Sequence, residues 1–207
     1  MSTVTRDAWY GLIKRLGVAD ERAGHLWQGL TAAYDEPHRH YHGMSHINAL
    51  VAAFTPLKGR FEAADAALLA LFYHDIVYDP ARPDNEERSA ERLAADFPGQ
   101  DRAARHILAT KHHNATDDAD TNLVLDLDMG ILGAPWPAYL AYAEGVFREY
   151  APVYGRDAYA KGRAALFLEP TRAKPRIFLT PEFAGREDQA RQNLVREIEL
   201  WAGGGFA

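Results

Sequence analysis

Residues 64–75, ADAALLALFYHD, decide the fold. Leu68, Leu69, Leu71 and Phe72 sit among alanines, and an apolar stretch this uniform reads as a helix buried nearly all round. It delivers the adjacent pair His74-Asp75 at its end. Outward from it, apolar residues recur at helical spacing and strict alternation over a strand's length is rare, so the chain reads as all-α. Further helices are predicted near 5–16, 20–33, 44–56, 85–96, 100–112, 121–131, 136–150 and 156–168. Near the C-terminus Thr180 is placed to cap a helix with Pro181 at its first position. Ala190, Leu194, Ile198 and Trp201 then form one core stripe, closed by Gly203 to Gly205. Polar or Pro-containing connections fall around 34–41, 76–84, 113–120 and 169–180, short enough for one compact helical domain over 1–207. There is no internal repeat or low-complexity tract.

The composition narrows the chemistry. The 47% hydrophobic content of 207 residues is ample for a buried core. With 29 acidic and 23 basic side chains the net charge is −6, which argues against broad attraction to a nucleic acid polymer or an anionic membrane. No stretch approaches the roughly 20 apolar residues of a membrane span, and the N-terminal MSTVTRDAWYGLIKRLG carries no targeting pattern, so a cytoplasmic protein is expected. The absence of cysteine excludes disulfides, thiolate zinc sites and cysteine nucleophiles. Any metal must be held by nitrogen and oxygen.

Histidine is unevenly distributed. His38, His40, His42 and His46 precede and enter one helix, His74 abuts Asp75, and His112 and His113 end another. Imidazole and carboxylate are the ligands preferred by Mn, Fe, Co, Ni and Zn when sulfur is absent, and a catalytic site keeps positions open for water and substrate. Asp126 and Asp128, in VLDLDMGILG, add carboxylates to an otherwise apolar stretch, where buried charge needs a partner. Neighbouring side chains on a regular helix diverge by about 100°, so His74 and Asp75 reach one site only at a helix end. His42 and His46 lie one turn apart, and either serves as the ligand with the other as a substrate contact.

In this order the segments RHYHGMSHI, FYHDIVYDP, DNEERSA, ATKHH, DLDMGILG and ARQNLVREI resemble the HD superfamily of metal-dependent phosphohydrolases, and more narrowly a bacterial subgroup of predicted HD phosphohydrolases. The resemblance spans most of the chain. It implies a divalent metal, a transition ion or Mg, held by His46, with His42 as the fallback, by the signature pair His74 and Asp75, and by Asp128. Asp126 is left as a supporting carboxylate or a helix N-terminal residue. The resemblance also implies a small-molecule substrate, a phosphate ester with nucleotides as the first guess, hydrolysed by metal-activated water.

Within that reading Asp75 bridges metal and water, and Glu86 is placed like an acidic residue near the nucleophile in some HD enzymes. Glu86 equally fits the first turn of a helix capped by Asp84 and Glu87. His113, with His112 as its register rival, matches an additional histidine that binds a second metal or contacts the phosphate. Lys111, Arg39 and Arg88 are the cations available to face phosphate. Tyr41, Tyr73 and Tyr78 read either as aromatic core or as lining for a ring pocket. No HExxH, GxxxxGK[ST] or GxSxG occurs, and of Ser2, Ser45 and Ser89 only Ser45 adjoins a histidine. Two rivals use the same residues: an HD-fold di-iron oxygenase or other non-phosphate hydrolase, and a non-catalytic metal- or nucleotide-binding regulatory module.

Overall fold

α1 (Thr3–Arg15), α2 (Asp20–Tyr34), α3 (Met44–Leu57), α4 (Ala64–Tyr73), α5 (Asn85–Asp96), α6 (Asp101–Ala109) and α7 (Ala119–Asp128) form one compact unit, Met1–Asp128. The structure, a computed structural model, describes residues 2–206, and no strand occurs among them. The expectation of an all-α chain is met. No helix among the described residues is long and apolar enough to cross a membrane.

α4 is the axis of this unit. Every residue from Ala67 to Tyr73 is buried, because α1, α3, α5, α6 and α7 all pack on it. Trp9, fully buried on α1, meets Phe72 edge-on at 5.2 Å and lies 6.4 Å from Tyr73 and 6.2 Å from Phe97. Each such ring contributes roughly 1.5–3 kcal/mol by leaving water. Tyr73, whose hydroxyl donates to Asp96 at 3.0 Å, therefore belongs to the core.

Both ends of α4 are held by charge of the sign its dipole favours. The buried Asp120 carboxylate of α7 accepts the N–H groups of Glu62 and Ala63 at 2.9 and 2.8 Å, just before the first turn. Past the last turn lies the Arg39 guanidinium, which donates to the Asp75 and Ile76 carbonyls. Between α2 and α3 the chain passes Gly43, where an added Cβ would stand 3.0 Å from the Tyr34 carbonyl oxygen. A side chain there would push α3 away from the end of α2.

The second unit, Met129–Ala207, opens with a 3-10 turn at Met129–Gly133. It continues with α8 (Trp136–Tyr154), α9 (Arg156–Arg163), α10 (Glu169–Ala173) and α11 (Glu187–Ala202). Two sequence expectations change here. The helix predicted to stop at 168 runs on through a π segment, Ala164–Leu168, into α10, so the connection expected at 169 starts at Lys174. Thr180-Pro181 opens a turn and a 3-10 step at Ala184–Arg186 instead of capping the last helix, which begins at Glu187. The Glu187 carboxylate accepts the N–H groups of Ile177 and Phe178 across that turn. Along α11 the deepest positions are Ala190, Asn193, Leu194 and Glu197, while Ile198 and Trp201 are half-buried.

Candidate metal centre

The His-Asp pair converges because the helix tightens as it ends. His74 still donates its N–H to Ala70 four residues back, at 2.8 Å, whereas Ile76 donates to Tyr73 only three back, at 3.1 Å. That change of winding brings Asp75 Oδ2 to 3.0 Å from His74 Nε2. His46 enters from the first turn of α3, on the face that buries Ile47 and Leu50. Asp128 is the last residue of α7. His113 follows α6 with φ of 47°, the left-handed backbone that His tolerates better than most residues, and this turns its ring inward.

These side chains meet. His46 Nε2 lies 3.2 Å from His74 Nε2 and 3.1 Å from Asp128 Oδ1, and His74 Nε2 lies 3.4 Å from the same oxygen. His46, His74 and Asp75 each offer one ligand atom, all within 4.8 Å of one another. Ligand atoms bound at about 2.1 Å to one ion stand about 3.0 Å apart at right angles and about 3.4 Å apart at the tetrahedral angle. The four separations fall in that interval. The His74 Nδ1–H donates to the Leu71 carbonyl at 3.1 Å, which directs Nε2 to the site, the arrangement by which metal-binding imidazoles are oriented. The donor set fits a divalent ion.

Charge follows the same pattern. Burial works against both carboxylates, yet His74 and His42 hold Asp75 well below the usual carboxylate range, and His74, His113 and His46 hold Asp128 below it. Burial lowers His46 despite its bond to Asp128. For His74 burial is outweighed by the two carboxylates, which raise it. Ligands bind metal with carboxylates ionised and imidazoles neutral, so a metal ion entering here would displace the proton that the two carboxylates favour on His74. His46 and His74 are 5% and 2% exposed, whereas the side chains of Asp75, Asp128 and His113 are 16%, 16% and 21% exposed. The imidazoles close the floor and the carboxylates reach an open edge.

His46 lies within bonding distance of His74 and Asp128, at 3.2 and 3.1 Å from its Nε2, and His42 stands beside the cluster, its ring centre 6.1 Å from that of His46 and 4.5 Å from that of Tyr78. His46→Ala is therefore expected to weaken Mn or Zn binding, read by titration calorimetry, much more than His42→Ala. The reverse ranking would move the ligand by one turn. His113 Nε2 meets Asp128 Oδ2 at 3.0 Å, while His112 is exposed. Asp126 is 1% exposed within α7, so it is not a helix N-terminal residue.

Around the cluster, Glu86 is half-buried in the first turn of α5, and burial, reinforced by Asp75, raises its carboxyl. Asp84 makes no side-chain cap to α5 and pairs instead with Arg82. Lys111 donates to the Pro83 carbonyl and to Glu87. Arg88 is exposed, beside Asp84. Arg39, placed by the sequence among phosphate-facing cations, has a different role: its buried guanidinium donates to the carbonyls of His42, Asp75 and Ile76. Ser45 is exposed, and Ser89 is buried where it exchanges hydrogen bonds with the Val77 backbone. Ser89 and Asn85, whose amide bonds the backbone of Asp79 and Arg82, pin the loop that follows the His-Asp pair to α5. Tyr41 and Tyr78 stand beside the site histidines, with the Tyr41 ring 4.9 Å from that of His46.

Sequence reading missed Tyr34. Its buried hydroxyl donates to the Phe72 carbonyl at 3.0 Å. No local signal marks a tyrosine 38 residues from its partner. The chain matches no protein-family model, no curated protein and no solved structure.

Proposed function

We propose that this chain is a metal-dependent phosphohydrolase of the HD type, a cytoplasmic enzyme acting on a small phosphate ester, with nucleotides the first candidates. One observation carries the reading: His46, His74 and Asp75 present donor atoms within 4.8 Å of one another and Asp128 meets both imidazoles at 3.1 and 3.4 Å, with the imidazoles closed off and the carboxylates at an open edge. A structural ion is enclosed by its ligands, whereas a catalytic one keeps a position for water and substrate. The nitrogen and oxygen donors suit Mn, Fe, Co, Ni or Zn, and less well Mg. Bound there, the ion would supply Lewis-acid charge to a phosphate oxygen and lower the pKa of water.

The chain's own groups divide the remaining work. Asp75, held ionised by His74 and His42, accepts a hydrogen bond from the attacking water and orients it. Glu86, raised by burial and by Asp75, stands on the side of the attacking water and assists Asp75 in placing it. His113 shares Asp128 and reaches the open edge as a phosphate contact. Lys111 adds positive charge to Glu86 and must loosen from Glu87 to meet substrate.

Elemental analysis of untreated purified protein, followed by a phosphate-release screen of nucleotides and sugar phosphates with the metal found, tests the proposal. Bound transition metal and metal-dependent phosphate release are expected. Protein that holds no metal and stays inactive with added Mn or Co would overturn it. Paired iron with oxygen-dependent turnover would replace it by an oxygenase, and metal without turnover by a regulatory module.

A further inference from the structure

The Asp75 peptide is held through its carbonyl by the Arg39 guanidinium, whose Nη1 donates to it at 2.6 Å, while the Tyr34 hydroxyl at the end of α2 donates to the Phe72 carbonyl of the same helix end at 3.0 Å. The same guanidinium reaches the His42 carbonyl at 3.1 Å and the Ile76 carbonyl at 3.2 Å, while its Nε donates to Glu36 at 2.9 Å. Two aromatic rings lie against it, with the centroids of Tyr34 at 5.0 Å and Tyr78 at 5.3 Å from Cζ. Glu36, its acidic partner, is 44% exposed, so the buried side of this cation is matched chiefly by carbonyl dipoles. The carbonyls at the end of a helix have no partner within it, and here Phe72, Asp75 and Ile76 all find theirs in Tyr34 and Arg39.

We infer that Arg39, with Tyr34, is a positioning residue that fixes Asp75 as a ligand, so that its loss weakens metal binding without removing any ligand. The inference rests on the proposed metal site. His74 is fixed independently, by its bonds to Ala70 and Leu71 inside α4. Asp75 lies where the helical winding has already tightened, and its place is set from outside, through its carbonyl. The same guanidinium, by holding the His42 carbonyl, ties the loop that leads into α3 to the turn that carries Asp75. A lysine cannot reproduce this contact, since one ammonium lacks the planar fork that spans separate acceptors.

Cobalt is the probe, because its visible absorption reports coordination as well as occupancy. Full-length wild type, Arg39→Lys, Arg39→Ala, Tyr34→Phe and His74→Ala are titrated with Co2+, with helicity followed by circular dichroism. The expectation is a Co2+ affinity about 10–100-fold weaker in folded Arg39→Lys, the range seen when an outer partner of a metal site is lost. An altered absorption band is expected at saturation, and Tyr34→Phe should show a smaller loss in the same direction. In Arg39→Ala, millimolar guanidinium, far below denaturing levels, should restore part of the affinity and the wild-type band, an effect that a general loss of stability would not give. Should Arg39→Ala not fold, Arg39→Lys and Tyr34→Phe decide the matter. Affinity and spectrum within twofold of wild type in both would overturn the inference. Failure of wild type to bind Co2+ any better than His74→Ala would instead overturn the metal site itself.

Discussion

Replacing His74 by alanine is expected to strip the protein of bound metal and to abolish phosphate release, with the helical fold retained. His74 is the hub of the cluster: its Nε2 lies 3.2 Å from His46 Nε2, 3.0 Å from Asp75 Oδ2 and 3.4 Å from Asp128 Oδ1. Without it Asp75 and Asp128 lose the imidazole they share, and the remaining donors no longer surround one point. Loss of a supporting partner typically costs a metal site 10–100-fold, so loss of a central ligand should exceed about 100-fold. Asp75→Ala should act on activity at least as strongly, because it removes a ligand together with the group assigned to orient the water. Both variants should keep wild-type far-ultraviolet dichroism, since α4 is buried through Ala67–Tyr73, before the pair begins. Unchanged metal content in both would place the site elsewhere.

The part of this site that was legible in sequence is the part set by local geometry. The apolar run 64–73 predicts a buried helix, and a His-Asp pair at its end can converge only where the winding changes. His113 was legible as one of two neighbours; the choice of His113 over His112 depends on a left-handed backbone at that position, which the letters HH do not reveal. Arg39 was misread for a different reason. An arginine beside histidines suggests an anion site, but its partners are carbonyls 36 and 37 residues away, and backbone acceptors leave no mark in composition.

The last helix illustrates the same limit. Thr180-Pro181 is a sound local start signal, yet the chain first turns to bury Phe183 against Phe178, with ring centres 5.6 Å apart, and the helix begins at Glu187. The core stripe expected through Ile198 and Trp201 is rotated toward Asn193 and Glu197. Polar residues can occupy those positions because distant partners satisfy them. The Asn193 amide donates to the Leu132 and Ala134 carbonyls, and Glu197 meets Arg163, Tyr139 and Trp201. Hydrophobic periodicity ranks positions by side-chain type and cannot foresee a buried polar group whose partners lie elsewhere in the chain.

That network supports a stability prediction for the second unit. Glu197 is fully buried and accepts from Arg163 Nε at 2.9 Å, from Arg163 Nη2 at 3.2 Å and from Trp201 Nε1 at 3.2 Å, with the Tyr139 hydroxyl on the same carboxylate. Glu197→Gln leaves the Arg163 charge without its counter-ion and is expected to cost about 3–5 kcal/mol, the usual effect of breaking a buried pair from one side. Replacing both partners, as Arg163→Met with Glu197→Leu, should cost less than either single change, because no uncompensated charge remains. Acid should erode the wild-type advantage. Burial opposes ionisation of Glu197, but Arg163 outweighs it and the folded carboxyl lies below its ordinary value. Such a group stabilises fully above the unfolded pKa, about 4.3, and its contribution is lost as pH falls from there through the folded value. Arg163 stays charged throughout and adds no pH dependence of its own. In urea melts followed by circular dichroism, the gap between wild type and Glu197→Gln should be widest near pH 7 and should close below about pH 4. A gap under about 1 kcal/mol at pH 7, or one that does not narrow on acidification, would show that the Glu197 charge is not what compensates Arg163.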